Sequence, residues 1–259
     1  MLVFIAIVFI VSVAFSHRYA ALKKWSAGKT ITVVFLIFMG GACLYILLYF
    51  VFYGPTYFTE IAEGYNAYIE GIYDDPFISE YARLMRTDSS QMDMTISQTQ
   101  VLLRFIPRIL PGVFIVSFSI ISLVNYLFSF MIFKRYRIEI KPFISFIKWD
   151  LSWYFVWGII IGLVLVLIPD IGSSISGGSG AIDIAADILG YNLIIIFGML
   201  YTVLGISVLW GIFVRFKTRF AIKIMIGIFL LFFFGFALII FPVLGLIDIW
   251  ANFRKLKRN

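Results

Sequence analysis

The chain has 259 residues, 62% hydrophobic and only 14% charged, whereas a soluble domain is nearer half apolar and a quarter charged. A mean hydropathy of +1.02 together with Phe 29 and Trp 6 places it in a bilayer. One Cys and one His exclude an intrachain disulfide and a structural zinc site, and the net charge of +7 reads as membrane orientation and contact with anionic lipid head groups.

Crossing ~30 Å of hydrocarbon takes roughly 20 helical residues, and helix is required because an open sheet leaves backbone groups unpaired in lipid. In chain order the expected membrane segments are Met1–Phe15, Ile31–Tyr53, Ile109–Phe133, Leu151–Ile168, Tyr191–Val214 and Ile224–Ile247. The first has neither the basic flank nor the small-residue cleavage site of a signal peptide, so it reads as a membrane helix cut short at its start. Pro111 is expected in the first turn of the third helix, and Pro242, flanked by Gly235 and Gly245, is expected to bend the sixth. Tyr53, Trp153, Tyr191 and Trp250 fall at segment ends, as an interfacial aromatic belt requires.

The connections sort by charge. Ser16–Thr30, Lys134–Asp150 and the short run from Arg215 to Lys223 carry the bases, while Pro169–Gly190 carries Asp170, Asp183 and Asp187 and no base. Gly54–Arg108 has eight acids. The positive-inside rule therefore puts the first, third and fifth connections in the cytoplasm and the second and fourth outside. The tail from Arg254 to Arg258 conflicts with this pattern. Six single crossings leave it outside, a hairpin in the sixth segment would bring it inside, and that segment spans only about 36 Å.

Polar groups inside apolar segments are the candidate sites, since burying one unpaired is costly. Asn125 forms a stripe with Ser119 and Ser122 that reads as cavity-facing or as interhelical bonding. Asn192 opens the fifth segment and reads as a ligand group or a cap. Asp248 follows a long apolar run, and Arg254 lies six residues on, so the two meet only if the chain bends. Gly158 and Gly162 form a GxxxG packing face, with Ser207 and Gly211 a weaker version of the same spacing.

The stretch Ser173–Gly180 lacks the Gly-Lys-Ser/Thr ending of a phosphate loop and reads as a flexible connector. Asp183 and Asp187, four apart on a short helix, could bind a cation, but solvated acids are the simpler reading. Gly54–Arg108 mixes aromatics with acids, as an interfacial amphipathic insert does, with a break at Asp74-Asp75-Pro76 and a polar loop over Thr87–Gln100. His17 falls among the cytoplasmic cations, and with Cys43 far from it in sequence no Cys–His or Ser–His–Asp set forms. No catalytic residues, metal ligands or cofactor fingerprint emerge, and no enzyme is expected.

From Pro107 onward, IPRILPGVFIVSFSIISLVNYLFSFMIFKRYRI, KPFISFIKWDLSWYFVWGIIIG, YNLIIIFGMLYTVLGISVLWGIFVRF and FPVLGLIDIWANFRKLKR follow in order. This order resembles the YybS-like family of bacterial polytopic inner-membrane proteins, of uncharacterised function. The resemblance implies that Asn192, Asp248 and Arg254 are motif positions. It also implies a chain that is shortened, or missing its start, before the position matching Met1. The family is distantly similar in architecture to the substrate-capturing membrane subunits of energy-coupling-factor vitamin transporters.

The expected fold is an all-α polytopic transmembrane bundle of about six segments, one membrane domain over 1–259 with an extracytoplasmic amphipathic insert over 54–108. The expected function is a small-molecule-binding, transport-associated subunit with no ATPase of its own, in the bacterial inner membrane. The alternative is a non-transporting scaffold for cell-envelope machinery. Lipids and membrane protein partners are expected, a small-molecule ligand is a candidate, and nucleic acid is excluded because no basic groove with interleaved stacking residues is present. A cavity lined by the Asn125 stripe or by Asn192 favours the first function; occlusion of those groups between helices favours the second.

Overall fold

The structure is a computed structural model that describes residues 2–74, 80, 89–138, 145–176 and 181–254. Among these residues it is all-helical, with seven α-helices: α1 (Leu2–Leu22), α2 (Ala27–Glu70), α3 (Ser89–Arg135), α4 (Val156–Ser176), α5 (Ala181–Arg215), α6 (Phe220–Phe232) and α7 (Phe234–Ala251). Single 3-10 turns cover Gly71–Asp74, Phe146–Lys148 and Trp153–Phe155. Four helices, α2, α3, α5 and α7, contain stretches long and apolar enough to cross a membrane, and shorter apolar helices cover Trp153–Leu167 and Phe220–Phe232.

The helices are longer than hydropathy alone indicates. α1 continues through Ser16 and His17 to Leu22, so His17 belongs to a helix and is buried, not part of a cytoplasmic loop. α2 and α3 have 44 and 47 residues. At 1.5 Å per residue each is roughly twice as long as the hydrocarbon is thick. Their far halves pack on each other, the Tyr65 hydroxyl donating to Leu103 C=O at 2.7 Å and the Gln100 amide to Ile69 C=O at 3.0 Å. Residues 89–100, expected as loop, are therefore helix, with Ile69 and Ile96 buried. α2 bends at Gly54, whose φ of +74° is open to glycine and strained for other residues.

Pro111 is not in a first turn. α3 begins at Ser89, which leaves Pro107 and Pro111 inside it. The connector is helical through Ser176, and residues 177–180 lie outside the described set. The Asp75-Pro76 break and the basic tail past Arg254 also lie outside it. Ala181–Gly190 is not a separate short helix but the first turns of α5.

α5 is the central helix and packs on α3, α4 and α7. The contacts are close because glycines sit at them. A Cβ on Gly205 or Gly245 would collide with the backbone of Phe241 or Tyr201, and one on Gly158 with the Phe197 ring. Gly162 would meet Ile194 Cγ1 at 3.0 Å and Gly190 C=O at 3.1 Å. The GxxxG of α4 is thus a face packed on α5, and Gly245 serves helix contact rather than a bend.

The sixth expected segment is divided. Its break falls at Phe233, where ψ swings to 43°, and Pro242 stays within α7. The chain leaves α5 at Arg215 and comes back to the same end of it. Arg215 Nη1 donates to Phe253 C=O at 3.3 Å, and Gly211 lies against the Arg254 side chain. The start of the basic tail thereby shares an end of the bundle with the base-rich connection after Arg215. α6 and α7 together thus return the chain to the end of α5 from which it left.

Candidate functional site

The expected polar positions gather into three junctions, and the first is Asn192. Its side chain is buried against α3, where Gly112 N–H donates to Oδ1 and Nδ2 donates to Arg108 C=O at 2.7 Å. In a regular helix those two backbone groups bond to each other. Pro111 lacks an N–H for this part of the ladder, and the Asn192 amide bonds to both neighbouring backbone groups from α5. Nδ2 also donates to Ile188 C=O at 2.5 Å. Nearby, Arg108 lies 4.0 Å from Asp187, and Phe105 meets Tyr191 edge to face. Asn192 is therefore a splice between α3 and α5, closed to any ligand.

Asn125 makes the second junction. Its Oδ1 is 2.6 Å from His17 Nε2, which joins α1 to α3 beside the buried Tyr126 ring. The rest of the stripe turns inward on its own helix, Ser122 donating to Phe118 C=O at 2.7 Å and Ser119 to Ile115 C=O at 2.8 Å. Sequence reasoning missed His17 because the neighbouring Arg18, Lys23 and Lys24 look like a loop. The available signal was the apolar spacing of Val13, His17 and Ala20, which are all buried.

The third junction brings Asp248 and Arg254 together. α7 ends at Asn252 in the left-handed conformation, φ 45° and ψ 51°, with its N–H on Asp248 C=O. That reversal folds Arg254 back, and Nε and Nη2 donate to Asp248 Oδ2 at 3.0 and 2.8 Å. Both side chains are buried, at 1% and 0% exposure. Arg254 Nη1 donates to Ile147 C=O at 3.0 Å, Trp149 C=O at 2.5 Å and Ser207 Oγ at 2.9 Å, and Nη2 lies 3.8 Å from Asp150. Ser207 in turn donates to Phe146 C=O at 2.6 Å. Buried charge is tolerated when it is paired and hydrogen-bonded, and this guanidinium is paired with Asp248 and bonded to three further oxygens. Ser207 and Gly211, which the sequence suggested as helix packing, form its seat on α5.

Beside this third junction lies a cavity of about 810 Å³. Its walls are Ile115, Val116, Ile120 and Leu123 of α3 and Ile196, Met199, Leu200 and Val203 of α5, with Ser119 the one polar group between them. Its polar end is formed by Ser26, Ala27 and Gly28 at the start of α2 and by Lys148, Trp149 and Asp150. The size and the apolar lining with few polar groups are those of a small-molecule site. Neither Asn125 nor Asn192 lines it. Among the described residues no three His, Cys, Asp or Glu side chains converge on a metal position.

A family model described as "Predicted membrane protein (DUF2232)" matches residues 1–249. No curated protein and no solved structure matches the chain.

Proposed function

The chain belongs to this DUF2232 family of membrane proteins of unknown function, and from that premise we propose that it binds an amphipathic small molecule inside the bundle. The observation that carries the reading is the apolar cavity between α3 and α5 with its polar end at Lys148, Trp149 and Asp150. A ligand there keeps its apolar part in the hydrocarbon and its polar part at the aqueous boundary. The base-rich connections fit a cytoplasmic face, with the far halves of α2 and α3 as the extracytoplasmic insert. The resemblance to YybS-like proteins supports a multi-pass inner-membrane location, and the likeness to transporter substrate-capturing subunits supports a transport-associated role. In that role the protein is not an enzyme and relies on partners for energy.

The scaffold reading keeps one specific support, the occlusion of Asn125 and Asn192 between helices. Cavity filling separates the two readings. Native mass spectrometry of protein purified from membranes should show a retained small molecule on the parent and on Leu36→Trp, a lipid-facing control. Leu200→Trp and Ser119→Phe should lose it. Retention by all four proteins would overturn the binding reading and leave the scaffold.

A further inference from the structure

We propose that Arg254 is a positioning residue for this cavity: the return of the chain after α7 is a latch that holds the segment 146–150 across the polar end. The inference rests on the cavity being the binding site. Its own basis is the set of partners of one buried guanidinium. Two of its acceptors, Ile147 C=O and Trp149 C=O, are backbone atoms of the segment that supplies Lys148, Trp149 and Asp150 to the cavity. Its other anchors, Asp248 and Ser207, belong to α7 and α5. The segment is short of regular structure. A three-residue 3-10 turn, Phe146–Lys148, is its only helical element, with no side-chain cap.

A piece of chain so poor in internal hydrogen bonds is held in place by what lies outside it. Two external fasteners reach it through one side chain and its seat: the guanidinium on the two carbonyls, and the Ser207 hydroxyl on Phe146 C=O. Releasing Arg254 removes two bonds directly and frees Ser207 to rotate away from a third. Arg254 thus ties the C-terminal end of α7 to the segment at the polar end of the cavity. Lysine could keep the charge near Asp248 but has no planar fork with which to serve Asp248, Ser207 and two carbonyls together.

The test uses the full-length protein in lipid nanodiscs on a Cys43→Ser background. Ala27→Cys is a buried thiol at the cavity, and Ala20→Cys is a buried thiol on α1 that does not line it. The probe is a water-soluble maleimide. Arg254→Gln should raise the labelling rate at Ala27→Cys severalfold, leave Ala20→Cys unchanged, and be only partly rescued by Arg254→Lys. Ser207→Ala, which keeps every charge, should raise the rate at Ala27→Cys by a smaller factor and so serves if Arg254→Gln does not fold. Equal rates at Ala27→Cys with and without the latch substitutions would overturn the proposal, as would a parallel rise at both thiols, which reports general loosening. The cavity reading fails separately. If Leu200→Trp keeps the bound small molecule while the labelling pattern holds, the latch stands and the ligand site does not.

Discussion

Asn192 and Gly112 stand in a relationship that ordinarily exists only within one helix: the side chain of the first accepts the backbone N–H of the second, across two helices. The same amide gives its own N–H to Arg108 C=O at 2.7 Å, so a polar residue of α5 completes a turn of α3 that proline disturbs. Removing it leaves one donor and one acceptor without that partner in a water-poor place. Asn192→Leu should lower the melting temperature in detergent, by an amount corresponding to about 1–3 kcal/mol. The exposed Thr59→Ala should not. Equal melting curves would show that α3 closes its own ladder at Pro111.

Asp248 and Arg254 carry a larger expected effect. Truncating one member of a buried pair strands the other, at about 3–5 kcal/mol, whereas an exposed carboxylate is worth about 1 kcal/mol or less. Asp248→Asn should therefore destabilise strongly relative to Asp93→Asn, which is at an exposed position. The double variant Asp248→Leu with Arg254→Met should recover part of the loss, since an apolar replacement pays no charge desolvation. Thermal unfolding of the parent and these three variants decides it, and a double variant less stable than Asp248→Asn would contradict the pairing.

The His17–Asn125 contact predicts coupling of a more modest kind. Interhelical side-chain bonds in membranes average about 0.6 kcal/mol and reach about 1.7 kcal/mol. A double-mutant cycle with His17→Phe and Asn125→Leu should give a coupling energy in that range. Strict additivity would mean that the buried imidazole serves packing alone.

Glycine contacts give the sharpest comparison. Gly205→Ala and Gly245→Ala place a methyl group on the backbone of the facing helix, where nothing flexible can yield. Gly64→Ala meets nothing within 4 Å and removes a helix-interior glycine, so it should be neutral or stabilising by up to about 1 kcal/mol. Yields of folded protein and melting temperatures should rank in that order.

Sidedness follows from the two ends of the bundle. Thiols introduced at Ser26 and Thr218 belong to the base-rich end, and one at Glu60 lies beyond the Gly54 bend of α2. On a Cys43→Ser background an impermeant maleimide added outside intact cells should label Glu60→Cys and spare the other two. The reverse pattern would invert the topology.

Much of this was legible in the residues. The apolar runs marked the long helices that could cross a membrane, and the six-residue gap between Asp248 and Arg254 meant that only a bend could bring those two together, which the left-handed Asn252 supplies. Helix length was not legible. The polar stretch 89–100 shows no long apolar face, and its helix is sustained by contacts made from α2, such as Gln100 on Ile69 C=O. Proline misled twice. Pro111 resembles a helix start but sits mid-helix because Asn192, 81 positions away, completes the turn, and Pro242 resembles a bend while the break occurs at Phe233. Such outcomes depend on the neighbouring helix, which a local reading cannot supply.

α5 is pinned at two points along its length, by Asn192 to α3 and by the Ser207–Arg254 seat to α7 and the 146–150 segment. A rod fixed at two points resists both sliding and rotation, so amide protons along its middle belong to the slowest-exchanging class in the molecule. The first turn of α2, through Ser26, Ala27 and Gly28, lines the polar end of the cavity from another side. On the binding reading, a molecule in the cavity would therefore rest against a fixed wall, and adjustment to its shape would fall to that turn and to the 146–150 segment, as a door moves against its post.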